Sequence, residues 1–572
     1  MLPDYGEPRN LCGRCSKINL GDPIRLSQLQ AGADSCSLCN MLSRCLKRHS
    51  VREQQEIQLL ESRHVVRICT AQRAKPNLQL GFPVLPEARG LIHFELLREW
   101  LQFCDHDTNH QRFGCGRNSN TVLPTRVVDV SNDKGPDFLS LYCSKKREKG
   151  EYIALSHCWG KLKEEDKAKF CTSPSNFHDR CRGFNMNDLP QTFKDAVTVT
   201  RELGKRYLWI DSLCIIQDDP NDWAIESKRM EAVFSNAYCT IAASSAADST
   251  VGFLRRRQLR QYIEVANSAQ GRIYICEAID DDFFHDVEES LLSRRAWVLQ
   301  ERALSRRTVY FTASQLYWEC GDGVRSETLT HMRNSKSLFL SDPKFPETLE
   351  DRSEPAKIDL FETLFARYSQ LGLTQSTDRS VAISGLEKRL ADTFATQGRH
   401  GVFESYLHRS LLWERSEDTR MKRILYPTDR GVPSWSWMAY EGLIKYVPIP
   451  FSGVEWHKAV QLRGDVLEAR VREFRSVQLE HKDGKYVIRD GTVSSEKWWL
   501  KYDGEDSADL QTLRVAVIGR ENGRLGDGRR YYILVVKPQC LEECRTFERV
   551  AVGCIPERVI SFESQEVYGK IF

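Results

Sequence analysis

A chain of 572 residues is too long for one hydrophobic core, and its 41% apolar and 28% charged content is that of a soluble globular protein of three or four units. The 82 basic and 79 acidic residues nearly cancel, leaving +3, so charge gives no ground for a nucleic-acid partner or an anionic membrane surface. No run approaches the roughly 20 apolar residues of a membrane span, and MLPDYGEPRN lacks the apolar stretch of a signal peptide. The nineteen cysteines are odd in number and scattered through apolar segments, which points to reduced thiols and a cytoplasmic chain.

In the first 124 residues, Cys12-x2-Cys15 and Cys36-x2-Cys39 have the spacing of two thiolate knuckles closing a tetrahedral, structural zinc site. Small buried cysteines are the plainer alternative. Cys104, His106, His110 and Cys115, after a helix ending in REWLQFC, offer material for a second site. From 125 the pattern changes: TRVVDV and FLSLYC form a hairpin, EYIALSHCWG is a buried strand, 188–204 is a helix and RYLWID a strand. Asp219-Pro220 opens a helix as N-cap and first position, and 238–243 is another strand. Two insertions interrupt this alternation, a polar, loop-like stretch over 161–187 and a longer one over 248–293 carrying a hairpin, QYIEVA and RIYICEA. The basic runs 145–149 and 255–260 are expected to be solvated loops.

The stretch SRRAWVLQERALSRRTVYF, 293–311, then gives a helix running into a strand. At 100° per residue Ala296, Trp297, Leu299, Ala303 and Leu304 fill one apolar arc, Arg294, Val298 and Arg302 fall outside it, and Glu301 stands at its rim beside Trp297. Glu226 falls inside the apolar stripe of its own helix and must be paired or protonated if buried. Beyond 331 comes a helical segment to 432, with FETLFARYSQLGLTQ and DRSVAISGLEKRLADTF amphipathic. A β-rich region follows over 433–572, where Trp435 and Trp437 share a strand face and RVAVIGR and RYYILVVK form a hairpin.

Alternating strands and helices over 125–330 imply an α/β domain with a mostly parallel sheet, in which ligands bind beyond the carboxyl ends of the strands. Those ends carry Ser156, Trp159 and Gly160, where a hydroxyl, a ring and a close backbone approach could hold a dinucleotide. They also carry Asp211, whose carboxylate could hold a ribose hydroxyl or cap a turn. A hydrolase built on Ser156, His157 and Cys158 is disfavoured, because neighbours on a strand point to opposite faces.

YIALSHCWG, YLWIDSLCIIQDDPNDWAIESKRMEAVFSNAYCTIAAS and RAWVLQERALSRRTVYF resemble, in order, the three signature blocks of the fungal heterokaryon-incompatibility (HET) domain family. His157 stands where that family more often has tyrosine. The family is thought to be distantly related to Toll/interleukin-1 receptor (TIR) domains, flavodoxin-like folds of which some hydrolyse NAD+. The resemblance implies an effector of non-self recognition and regulated cell death. Trp297-x3-Glu301 matches the spacing around the TIR catalytic glutamate, which makes Glu301 the expected catalytic carboxylate and places Trp297 with the NAD+-binding residues. Self-association on activation and an upstream recognition protein are the implied partners. The alternative is a catalytically silent assembly module.

Overall fold

The computed structural model describes residues 10–18, 22–48, 56–58, 66–70, 90–118, 120–131, 133–161, 163–255, 262–268, 271–277, 283–328, 331–332, 349, 352–416, 420–427, 431–490, 493–504, 509–522, 529–540, 545–563 and 566–572. The chain divides into two compact units, Met1–Ser293 with Glu301–Lys344, and Arg294–Gln300 with Phe345–Phe572.

The first unit opens with the Cys-rich leader, whose helix α1 (Ser37–Arg48) buries Leu38, Cys39, Leu42, Cys45 and Leu46 on one face. This face packs on Ile263, Val265 and Ile275 of the expected hairpin, Ile263–Ser268 with Gly271–Glu277. Val66–Thr70 adds a third strand to that hairpin. Helices α2 (Leu91–His106) and α3 (Thr108–Arg112) follow, and the side chain of Asp107 caps α3 by accepting from the backbone N–H of Asn109 and His110.

The main sheet contains β1 (Arg126–Asp129), β2 (Phe138–Cys143), β3 (Tyr152–Ser156), β4 (Tyr207–Trp209), β5 (Cys239–Ala242), β6 (Arg307–Phe311), β7 (Leu316–Cys320) and β8 (Gly323–Ser326). They lie in the order β8-β7-β6-β5-β3-β4-β1-β2, with the two-residue strands His331–Met332 and Phe184–Asn185 at the margins. Between β3 and β4 comes helix α4 (Gln191–Glu202); a single turn, α5 (Asp211–Cys214), and α6 (Pro220–Asn236) connect β4 to β5; α7 (Ala296–Leu304) leads into β6. The expected cap holds at α6, where Asp219 accepts from the N–H groups of Asn221 and Asp222 and Pro220 takes the first helical position.

This sheet is mixed, where a mostly parallel one was expected. Only the central neighbours β6–β5, β5–β3 and β3–β4 are parallel; β1–β2, β1–β4, β6–β7 and β7–β8 are antiparallel. The tight links after β1, β6 and β7 allow only antiparallel neighbours, since a parallel pair needs a long crossover. The stretch 161–187 is also more ordered than expected, with helices Glu164–Phe170 and Phe177–Arg182; EEDKAKF is polar all round and has no apolar period to betray its helix.

Helix α7 departs from the simple arc as well. Val298 and Arg302, expected outside it, are both buried. The Arg302 guanidinium donates to both oxygens of Glu319 on β7, at 3.0 and 2.9 Å, and to Glu288 at 2.7 Å. Periodicity counts an arginine as polar and cannot see a carboxylate waiting for it on a strand.

The second unit holds helices Glu354–Ser369 and Ser384–Thr393 and a β-rich region. Strands β9 (Val466–Glu473), β10 (Arg514–Glu521), β11 (Arg530–Pro538), β12 (Thr546–Pro556) and β13 (Val567–Ile571) pair in turn, and β13 returns to β9, so the five close a ring. The expected RVAVIGR and RYYILVVK hairpin is β10–β11. Trp435 and Trp437 are fully buried, but Trp437 begins a short 3-10 turn, Trp437–Ala439, so the pair does not share a strand face. Sixteen described cysteines are free thiols, as expected, whereas Cys540 belongs to a disulfide.

Candidate functional site

All five residues of β3 are buried, as its unbroken apolar run requires of a strand covered on both faces. Its register with β5 sets Ser156 opposite Ala242, so β3 and β5 end together. At that carboxyl edge the Ser156 hydroxyl donates to Oε2 of Glu301, which α7 brings in from 145 residues away. Glu301 is 7% exposed, a buried carboxylate rather than the half-open rim group expected.

The other strand-end residues are tied to one another. The Trp159 indole N–H donates to Oδ2 of Asp211 at 2.8 Å, and the opposite oxygen of Asp211 accepts from the Ser212 N–H at 2.7 Å. Asp211 is the first residue of the turn α5, after β4 has ended at Trp209; Ile210 is the N-cap and no side chain caps the turn, so the Asp211 carboxylate serves to steady Trp159. His157 is buried edge-on against Phe193, with Nδ1 3.9 Å from Asp211 Oδ1. Gly160 has φ +77°, and a Cβ there would stand 2.3 Å from that of Asp248; its close approach is to this aspartate of the insertion. Trp297, four residues before Glu301, is half-buried on α7 and belongs to the second unit.

Three hydroxyls at the same edge carry no hydrogen bond: the Oγ atoms of Ser212, after β4, and of Ser244 and Ser245, after β5, are buried without a partner. A buried hydroxyl left unpaired costs free energy, so these three stand out at the carboxyl ends of β4 and β5. The sequence shows serines at strand ends but not their lack of partners.

Glu226 lies elsewhere. It accepts from the Thr125 hydroxyl at 2.8 Å and from Arg229 at 3.0 Å. It borders a cavity of about 390 Å³ that also touches Lys145, Arg147 and Tyr152, the first residue of β3. Glu226 is therefore at the amino end of that strand, opposite Ser156, and it is an ion-paired carboxylate.

Two side-chain clusters have the donors to hold a metal. Cys12, Cys15, Cys36 and Cys39 converge as their spacing predicts, with Cys39 Sγ at 3.8 Å from Cys12 and 3.4 Å from Cys15. The Cys39 N–H donates to Cys36 Sγ at 3.5 Å. An N–H from Cys15 holds the Cys12 thiol down to about 6, whereas burial pushes Cys15 and Cys39 up.

The second cluster is Cys104, His110, Cys115 and Cys320, all buried. His106 is not in it: two residues after Cys104 on α2, it points about 200° away, is exposed, and has Nδ1 at 2.8 Å from the Gln102 carbonyl. Cys320, at the end of β7 and 210 residues from His110, takes the place expected for it. No local spacing could have found it. Thiol hydrogen bonds from Cys104 and then Cys320 hold Cys115 down to about 4, while donating to Cys115 raises Cys104.

A mixed α/β domain with a carboxylate and unpaired hydroxyls at the ends of its parallel strands is the class defined by fold and site. Residues 152–301 match the family model described as Heterokaryon incompatibility protein (HET), beginning at the first residue of β3 and ending on Glu301, so the chain carries a domain of the HET family. No curated protein and no solved structure matches the chain. No helix among the described residues is long and apolar enough to cross a membrane.

Proposed function

We propose that this chain is an effector of non-self recognition and regulated cell death that cleaves the nicotinamide–ribose bond of NAD+, with Glu301 as the catalytic carboxylate. The supporting observation is the meeting of Glu301 with Ser156 at the carboxyl ends of β3 and β5, the strand-end edge that also carries the unpaired hydroxyls of Ser212, Ser244 and Ser245. In chain order the four parallel strands lie 2-1-3-4 across the sheet. That is the beginning of the flavodoxin-like order, which favours the TIR likeness, and such sheets take their ligands where the first and third strands part.

The chemistry asks little more of the protein. As the C1′–N bond breaks, its electron pair leaves on the nicotinamide, cancelling the ring's positive charge, so no general acid is required. The ribose gains oxocarbenium character, which an adjacent carboxylate stabilises; water then adds at C1′ and releases its proton, giving ADP-ribose. Serine hydroxyls suit ribose and phosphate oxygens, while Trp159 and Asp211, joined to each other, would shape the rim. The tetrad Cys12, Cys15, Cys36 and Cys39 would hold a structural zinc, away from this chemistry.

One observation favours the second reading, a silent assembly module: Glu301 is buried and already bonded to Ser156, as a purely structural carboxylate would be. Purified full-length chain incubated with NAD+ separates the two. Nicotinamide release that falls about a hundredfold or more in Glu301→Gln, with an unchanged melting transition, supports the NAD+ reading. Equal turnover in a folded Gln variant removes Glu301 from the mechanism, and no release under any condition of assembly favours the module.

A further inference from the structure

The Cys104–His110–Cys115–Cys320 cluster lies outside the family match and is built with more care than buried thiols require. Cys104 comes from the last turn of α2. Asp107 caps α3 and so fixes His110, whose ring stands edge-on to Phe103 and Phe113 at centroid distances of 4.8 and 6.4 Å. Cys115 follows in the next loop, and β7 supplies Cys320.

His110 Nδ1 lies 3.3 Å from Cys104 Sγ, 3.2 Å from Cys115 Sγ and 3.7 Å from Cys320 Sγ. With metal–sulfur bonds of ~2.3 Å and metal–nitrogen bonds of ~2.0 Å, a tetrahedral zinc site has sulfur–nitrogen edges of about 3.5 Å. The three edges bracket that value. Beyond the donors, Asp322 Oδ2 is 3.7 Å from His110 Nε2, so a carboxylate faces the far side of an imidazole whose Nδ1 faces the thiols. A metal-bound histidine takes its outer partner on that side; here the carboxylate stands just beyond hydrogen-bond distance, with the same oxygen accepting from Arg325 at 2.6 Å. Three soft sulfurs and one imidazole, shielded from water, suit zinc over hard cations such as magnesium or calcium.

We propose that Cys104, His110, Cys115 and Cys320 bind one zinc ion, which fastens the helical segment α2–α3 to strand β7 at the margin of the HET sheet. The neighbouring contacts fit a fastening point: Asp105, next to Cys104, pairs with the buried Arg307 at the start of β6 and accepts from the Tyr238 hydroxyl, and Arg306 donates to the Gly116 carbonyl. The site is independent of the Cys12 tetrad and of the strand-end chemistry.

Metal analysis of the full-length chain purified with zinc, joined to alkylation mapping of its cysteines, tests the site. Cys320→Ser is expected to carry one metal equivalent fewer than the wild-type chain. In wild-type protein a chelator should render Cys104, Cys115 and Cys320 alkylatable together, while Cys214 and Cys239, buried within the same unit, stay protected. The mapping needs no variant and so stands even where Cys320→Ser does not fold. Equal metal content in folded Cys320→Ser, or three cysteines whose alkylation ignores the chelator, would overturn the proposal.

Discussion

Burying a carboxylate is unfavourable unless a partner or a proton compensates it, and three glutamates here meet that demand differently. Glu226 has Thr125 and Arg229, and Glu301 has Ser156. Glu387, in the second unit, accepts from the Gly401 N–H, and burial lifts it from 4.5 to about 7. A raised folded-state value means that the protonated form is favoured in the fold. Its contribution to stability is complete below about pH 4.5 and is lost as pH rises through 7, at about 1.4 kcal/mol per unit across that window. Glu387→Gln keeps an oxygen to accept from Gly401 and cannot ionise. It should therefore stabilise the second unit relative to wild type at pH 8 and have little effect at pH 4.5. Urea unfolding of both chains at the two pH values measures this, and a difference independent of pH would contradict it.

At the scale of elements, α7 carries both the candidate carboxylate and an arginine that locks its carboxyl-terminal half in place. Arg302, Glu319 and Glu288 are all about 5% exposed or less, and Tyr310 also donates to Glu319. Removing one member of a buried ion cluster leaves the others charged and unpaired, which costs on the order of 3–5 kcal/mol. Arg302→Met should therefore lower stability by about that much, and adding Glu319→Gln should restore part of it. A loss below about 1 kcal/mol in Arg302→Met, at the level of an exposed pair, would mean that water reaches the cluster. Under the NAD+ reading, the same substitution should also reduce turnover, because Glu301 precedes Arg302 on the helix.

For the whole molecule, an enzyme that consumed NAD+ without restraint would exhaust its own cell, so the proposed activity needs a resting state. A Glu301 that is 7% exposed and bonded to Ser156 fits a cleft held shut. Docking of a second copy against the strand-end loops, 159–163 and 213–218, would be one way to open it. Specific activity of the full-length chain is then expected to rise with protein concentration, in step with self-association followed by sedimentation. High activity that does not change with concentration in a proven monomer would defeat assembly control and leave regulation to expression or to a separate inhibitor.

The sequence by itself determined what depends on neighbours a few residues apart. The buried run of β3, the capped start of α6, the β1–β2 and β10–β11 hairpins and the twin Cys-x2-Cys knuckles are set by period, capping and short spacing, and all appear where they were expected. Tertiary structure alone decided what depends on pairing across long separations. It made the margins of the sheet antiparallel, put Arg302 inside the core opposite Glu319, exchanged His106 for Cys320 and closed Ser156 onto Glu301. A local pattern states whether a side chain prefers water or the interior. Which buried group it meets there is fixed only when strands far apart in the chain come together, and the 145 residues between Ser156 and Glu301 carry no periodicity that encodes their contact.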